Sequence, residues 1–198
     1  DYTDPQFEQN LEEDDLRRRL ETIQKSAFRC RDITRKLLRF VRKTDFDLRD
    51  HDIHDIIDGV IDDLLGPEIE VSNFTVTREY DRSLPRLTTD ANQLQQCFLN
   101  LIFNAISAMP NGGKLHVLSM PDKDQKNACI EISDTGYGIP EETLDHIYDP
   151  FFTTKEAGEA TGLGLSIVYG VIKNHKGKIA IDSTMGKGTT VKLTFPCA

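Results

Sequence analysis

From Asp90 to Met109 the chain reads as one strongly apolar helix, and Gly112-Gly113 ends it before two strand-like runs, roughly 114–120 and 127–133. The two runs read as an antiparallel pair. Downstream, a Gly-rich and Phe-rich stretch leads to a helix near 164–174, and strands near 177–183 and 189–195 follow. Upstream, Ile69, Val71, Phe74, Val76 and Tyr80 form strand material. Before them Phe46 and Leu48 suggest a short strand, and Ile53, Ile56, Ile57, Val60, Ile61, Leu64 and Leu65 recur at helical spacing until Gly66-Pro67. Helices and strands are intermixed and neighbouring strands look like hairpins, so the fold class is α+β rather than doubly wound.

The first 44 residues obey other rules. Residues 1–15 hold seven acidic residues and no basic one, and read as a solvated, flexible lead-in. From Leu16 the positions Leu16, Leu20, Ile23, Ala27, Cys30, Thr34, Leu37 and Val41 keep a strict four-three alternation, the seam of a coiled-coil-like helix. Phe28, Ile33, Leu38 and Phe40 widen that seam to the breadth found in four-helix bundles, so the helix needs partners, expected to include a second copy of itself. Three stretches result: a lead-in over 1–15, a helix over 16–44 and a domain over 45–198.

The helix carries eleven Lys and Arg between Arg17 and Lys43, which invites a nucleic-acid reading. Acidic residues at 45, 47, 50, 52, 55, 58, 62 and 63 follow directly, no aromatic array is interleaved, and the net charge is -9. Nucleic-acid binding is therefore not expected, and phosphate binding has to be local. The 198 residues include 38% hydrophobic and 29% charged, enough for a sizeable core and against wholesale disorder. No apolar run approaches the roughly 20 residues of a membrane span, so no membrane contact is expected. Cys30, Cys97, Cys129 and Cys197 are scattered without a CxxC pair, as reduced thiols of a cytoplasmic protein would be.

Four short strings within the second half have chemical uses. Asn100 and Asn104 stand one helical turn apart on one face, and an amide oxygen suits a hydrated Mg²⁺ carried on nucleotide phosphates; a packing or capping role is the plainer alternative. Asp134-Thr-Gly136-Tyr-Gly138-Ile139-Pro140 follows an apolar strand. A carboxylate there can accept from an exocyclic amine such as adenine N6, while glycines let backbone approach a flat ring. Tyr148-Asp-Pro-Phe151-Phe152-Thr-Thr-Lys155 places two aromatics and a cation in a segment without period, either a lid or a loop anchored in the core. Gly158, then Gly162-Leu163-Gly164-Leu165-Ser166, leads into a helix whose first amides suit a phosphate. Gly186-x-Gly188-Thr189 opens the last strand with a hydroxyl that can reach the pocket rim.

In this order the strings resemble the N, G1, F and G2 boxes of sensor histidine kinases, within the GHKL ATPases. The resemblance covers about 45–198, and Phe151-Phe152-Thr-Thr-Lys155 with Thr161-Gly162-Leu163-Gly164-Leu165 is similar to the nitrogen-regulation-like branch. Helix 16–43, ending in Leu37-Leu38-Arg39-Phe40-Val41-Arg42, resembles the second helix of the dimerisation and phosphoacceptor hairpin. The resemblance implies a two-layer α/β sandwich, a mixed sheet covered on one face by helices. It implies ATP and Mg²⁺ as cofactors, with Asn104 holding the metal through the phosphates and Asn100 supporting. Asp134 takes the adenine amine and Thr189 assists. Gly136, Gly138 and Ile139 shape the base pocket, Phe152 belongs to the lid segment, and Gly162, Leu163, Gly164 and Leu165 form the lid hinge and its phosphate contacts. Lys155 is the lid cation. The family often has a basic or hydroxylated residue where Ser107 stands. Asn100 stands where hydrolytic members carry a general-base Glu, so the resemblance points to kinase chemistry.

A phosphoacceptor histidine should lie on the first hairpin helix. His51, His54, His116, His146 and His175 all fall elsewhere, so the chain reads as part of a longer parent, able to bind ATP but without its own target. The implied partners are ATP, a response regulator receiver domain and, in the parent, a second copy paired through the N-terminal helix. The alternatives are a clamp-type ATPase and a nucleotide-responsive binding module without kinase activity.

Overall fold

The structure, a computed structural model, describes residues 47–64, 73–155 and 160–197, which belong to a compact unit spanning 45–198. The expected lead-in and helix 16–44 lie outside the described residues, as do Ile69, Val71 and Gly158.

The elements run β1 (Arg49–His51), α1 (Ile53–Asp58, continued by a π-helical segment Gly59–Leu64), β2 (Phe74–Tyr80), β3 (Leu87–Thr89), α2 (Ala91–Ser107), β4 (Gly113–Pro121), β5 (Asn127–Asp134), a 3-10 segment (Glu141–His146), α3 (Gly164–Asn174), β6 (Lys178–Thr184) and β7 (Gly188–Pro196). The main sheet has the order β2-β4-β5-β7-β6, and β1 pairs with β3 in a separate two-stranded ladder. All pairs are antiparallel except β2 with β4, which run parallel from Phe74 opposite Gly113 to Tyr80 opposite Ser119. The parallel pair makes this the mixed sheet that the resemblance implies, although the strand pattern itself pointed only to hairpins. Its cause is topological: α2 lies between the two strands and returns the chain to the same end of the sheet.

Period-two alternation sends Leu115 and Val117 of β4, Ile130 and Ile132 of β5, and Val191, Leu193 and Phe195 of β7 into one core. Helix α2 meets them with Leu94, Cys97, Phe98, Leu101, Ile102 and Ala105, and α1 and α3 add Ile53, Ile57, Val168 and Ile172. Side chains on the opposite sheet face include the ion pair Lys192–Glu131 at 2.6 Å, so among the described residues helices cover one face only. This is the expected two-layer α/β sandwich. Truncating a core ring such as Phe98, fully buried, costs about 3–5 kcal/mol.

The start of α2 is fixed twice. Asp90 caps it by accepting from the Asn92 and Gln93 amides at 3.1 and 3.2 Å, and the Asp90 amide donates to His175 Nε2 at 3.0 Å. His175 Nδ1 meets the Val171 carbonyl at 2.8 Å, which ties the C-terminus of α3 to the N-terminus of α2. The short first strand falls at Arg49–His51, just after Leu48, and is held by pairing with β3 and not by burial; Leu48 is 50% exposed, and Phe46 lies outside the described residues.

Candidate functional site

The four sequence strings converge at the end of the sheet where β5 and β7 meet the C-terminus of α2. Asp134 ends β5 directly opposite Thr189. Its Oδ1 accepts from the Gly136 amide at 2.8 Å and from the Thr189 amide at 3.3 Å. Both bonds use one oxygen, so Oδ2 has no hydrogen-bond partner among the described residues. Burial pushes the Asp134 carboxyl above its ordinary range, opposed by the two amides, which favour the ionised form. A half-buried carboxylate with one oxygen fixed and the other available is suited to read an N–H donor.

The loop after Asp134 is strapped on both sides. Gly136 packs on the end of α2, where an added Cβ would sit 2.7 Å from Ala108 Cβ, and the Tyr137 amide donates to the Ala108 carbonyl at 3.1 Å. Gly138 has φ +76, and a Cβ there would meet the Thr184 carbonyl oxygen at 2.3 Å, so only glycine fits without strain. The Ile139 amide donates to Ser183 Oγ at 2.8 Å. Ser183 Oγ also meets Thr189 Oγ1 at 2.9 Å and donates to the Gly188 carbonyl at 3.1 Å. Thr189 therefore touches Asp134 through its backbone, while its hydroxyl is engaged by Ser183. Ser183 and Ala108 escaped the sequence reading, since a strand serine and a helix-end alanine carry no signal of their own. Ile139 also borders a cleft of about 720 Å³ with Leu144, Ile181 and Met185, which includes neither Asp134 nor the two asparagines.

Asn100 and Asn104 lie one turn apart on α2, as expected. Asn100 is 8% exposed, and Asn104 is exposed. The Asn104 amide lies against the start of α3, where a Cβ on Gly164 would be 3.8 Å from Nδ2 and 3.9 Å from Oδ1. That helix end has no side-chain cap; its N-cap residue is Leu163, which is buried, and Leu165 packs against the core. Uncapped amides and the helix dipole favour an anion there. Asn100 Nδ2 is itself buried without a partner among the described residues. Among the described residues no group of three or more His, Cys, Asp or Glu could hold a metal ion.

The segment between the glycine strings begins and ends at one point. The Phe151 amide donates to the Gly162 carbonyl at 3.0 Å, and Gly162 has φ +66. Phe151 is 64% exposed, and Phe152 is half-buried with its ring 6.0 Å from that of His146. Lys155 is half-buried, and its backbone amide donates to Thr153 Oγ1 at 3.2 Å.

A two-layer sandwich that carries a half-buried carboxylate at the end of β5, and the Asn104 amide beside an uncapped helix start, has the ingredients of a nucleotide-binding module. The chain belongs to the family of histidine kinase-, DNA gyrase B-, and HSP90-like ATPases, which matches residues 89–198. It is similar to the sensor kinase CckA of Brucella abortus, 38% identical in an alignment 192 residues long that covers 88% of this chain and 20% of CckA. The nucleotide-free catalytic domain of the histidine kinase ThkA superposes with a TM-score of 0.67 at 30% identity, covering 76% of this chain and 95% of that one. ThkA in complex with the response regulator protein TrrA shares the fold at a TM-score of 0.75 and 23% identity, over 92% of this chain and 52% of that one. The chain spans from about a fifth to just over a third of the length of the curated relatives it matches.

Proposed function

We propose that this chain is the ATP-binding catalytic portion of a two-component sensor histidine kinase, transferring the γ-phosphoryl group of ATP to a histidine on a helix outside the chain. The observation that carries the reading is the pair Asn100 and Asn104 on one face of α2, with Asn104 beside the uncapped start of α3. An amide at position 100 cannot take a proton from water as a carboxylate would, which favours a site that holds ATP for a protein nucleophile over one that hydrolyses it.

In this reading Asp134 Oδ2 accepts from the adenine amine, and Gly136, Gly138 and Ile139 form the wall of the base pocket. The amides of Gly164 and Leu165 face the phosphates, with Gly162 and Leu163 setting the approach. Phe152 anchors the lid segment, and Lys155 supplies a cation toward the γ-phosphate. Asn104 Oδ1 would hold Mg²⁺ on the phosphates, where the ion would supply charge neutralisation. The transfer breaks the bond between the γ-phosphorus and the bridging oxygen, forms a phosphorus–nitrogen bond to the imidazole, and leaves ADP. The protein's part is positioning and charge placement.

Residues 16–44 are the second helix of the dimerisation hairpin in this proposal, with residues 1–15 a solvated lead-in, and the parent pairs through that helix. The next phosphoryl acceptor is an aspartate of a response regulator receiver domain, the kind of partner present in the ThkA complex. Among the described residues no helix is long and apolar enough to cross a membrane, in keeping with a catalytic portion that works in the cytoplasm. The test is calorimetric titration with a non-hydrolysable ATP analogue, with and without Mg²⁺ and with GTP as control, followed by phosphorylation of a supplied hairpin helix in trans. Adenine-selective binding and a phosphohistidine on the supplied helix are expected. Binding without transfer would replace the kinase by a nucleotide-responsive module.

A further inference from the structure

We infer that Gln96 orients the Asn100 amide, so that Asn100 presents an N–H donor to the phosphate side of the nucleotide site and Asn104 alone supplies an amide oxygen. The inference rests on the reading of the site as an ATP site.

Gln96, Asn100 and Asn104 follow each other at four-residue spacing on α2 and so share one stripe of the helix. Gln96 Nε2 donates to Asn100 Oδ1 at 3.2 Å, which occupies the carbonyl end of the Asn100 amide. The other end, Nδ2, is buried and has no partner among the described residues, in a side chain only 8% exposed. Folded proteins rarely leave a buried donor unpaired, and each exception asks for an explanation. An arriving acceptor explains this one. One lone pair of the Asn100 oxygen is engaged by Gln96, and the group on Asn100 whose hydrogen bonding is unmet is the Nδ2 donor, so what this amide calls for is an acceptor rather than a cation. An anionic oxygen, or a water held by one, is the complementary chemistry, and phosphate oxygens of the nucleotide are the source of it.

Asn104 differs in each respect. It is exposed, and its amide lies at the uncapped start of α3. The two asparagines are therefore not equivalent: one is preset as a donor by its neighbour a turn earlier, and the other keeps its oxygen available. Gln96 touches neither nucleotide nor metal in this account; it is a positioning residue that acts through Asn100.

The experiment compares the chain with Gln96→Met, Asn100→Ala and the double variant. Calorimetry measures their affinity for a non-hydrolysable ATP analogue and for adenosine, and unfolding temperatures are recorded alongside. Methionine keeps the length of the side chain and removes the donor without adding charge. Gln96→Met is expected to lose about tenfold in affinity for the ATP analogue, the scale of a hydrogen bond to a charged group, and to leave adenosine binding and the unfolding temperature unchanged. The double variant is expected to bind the ATP analogue no more weakly than Asn100→Ala, since the effect of Gln96 on nucleotide binding runs through that amide. Losses that add in the double variant overturn the inference, as does a parallel loss for adenosine and the ATP analogue in Gln96→Met. Unchanged ATP-analogue affinity in Gln96→Met overturns it while leaving the nucleotide site standing. Failure of the unaltered chain to bind either ligand overturns the site itself, and the inference with it.

Discussion

Asp134 and Thr189 stand opposite each other across the β5–β7 ladder, and the Thr189 amide shares Asp134 Oδ1 with the Gly136 amide. The arrangement fixes one carboxylate oxygen with backbone from two segments and leaves the second for a ligand. Asp134→Ala is expected to weaken ATP binding by about 1–3 kcal/mol and to erase the preference for ATP over GTP, both read by calorimetry. Burial raises the Asp134 carboxyl, so in the unaltered chain affinity should begin to fall on acidification at a pH above the ordinary carboxylate range.

Asn104→Ala should weaken binding in the presence of Mg²⁺ more than in its absence. The exposed amide adds little to folding, so the unfolding temperature should hold within a few degrees. Equal losses with and without the metal would assign Asn104 to the phosphates alone.

Gly162→Ala puts a methyl group where the structure leaves no room. At φ +66 an L side chain is strained, and its Cβ would sit 2.3 Å from the Phe151 carbonyl carbon. A loss of about 1–3 kcal/mol in stability, read by urea unfolding, is expected, with faster proteolysis between Phe151 and Gly162.

His54 governs an acid-side loss of stability. Its ring is buried between Ser119 Oγ at 2.8 Å and Asp52 Oδ1 at 3.1 Å and stacks on Tyr80 at 4.5 Å. Burial lowers its pKa below 6.5 and outweighs the opposing pull of Asp52. The unfolded chain therefore binds the proton more readily than the folded one, so the stability is fully present above pH 6.5 and declines as pH falls through the lowered folded value. Urea unfolding across pH 7 to 5 should show this slope, and His54→Gln should flatten it.

Much of the site was legible because its residues sit at turns and helix faces where spacing constrains them. Asn100 and Asn104 share a face by period alone, and Gly138 and Gly162 mark backbone that only glycine adopts easily. Helix α3 and the strands from β4 onward fall within one or two residues of expectation, since each is bounded by glycine, asparagine or a change of period. The parallel β2–β4 pair was not legible, because pairing partners depend on which way the chain returns and not on local pattern. Ser183 was missed for a similar reason: its three hydrogen-bond partners, at Ile139, Gly188 and Thr189, come together only once β6 and β7 have paired and the loop after β5 has docked. Gln96 was within reach, four residues before Asn100, but its amide looked like ordinary helix surface.

The β2–β4 pair also sets an order of events during synthesis. Among the described residues β2, from Phe74 to Tyr80, pairs with β4 alone, and β4 begins at Gly113 after all of α2 has been made. A nascent chain ending anywhere before that carries β2 as a lone ribbon with both backbone edges bare, the state in which strands most readily pair with the wrong neighbour. Closing so long a loop before any ladder bond forms is slow. Strand β2 is thus committed to wait for β4 before it can settle, and a ribosome pausing within α2 would lengthen its most vulnerable interval.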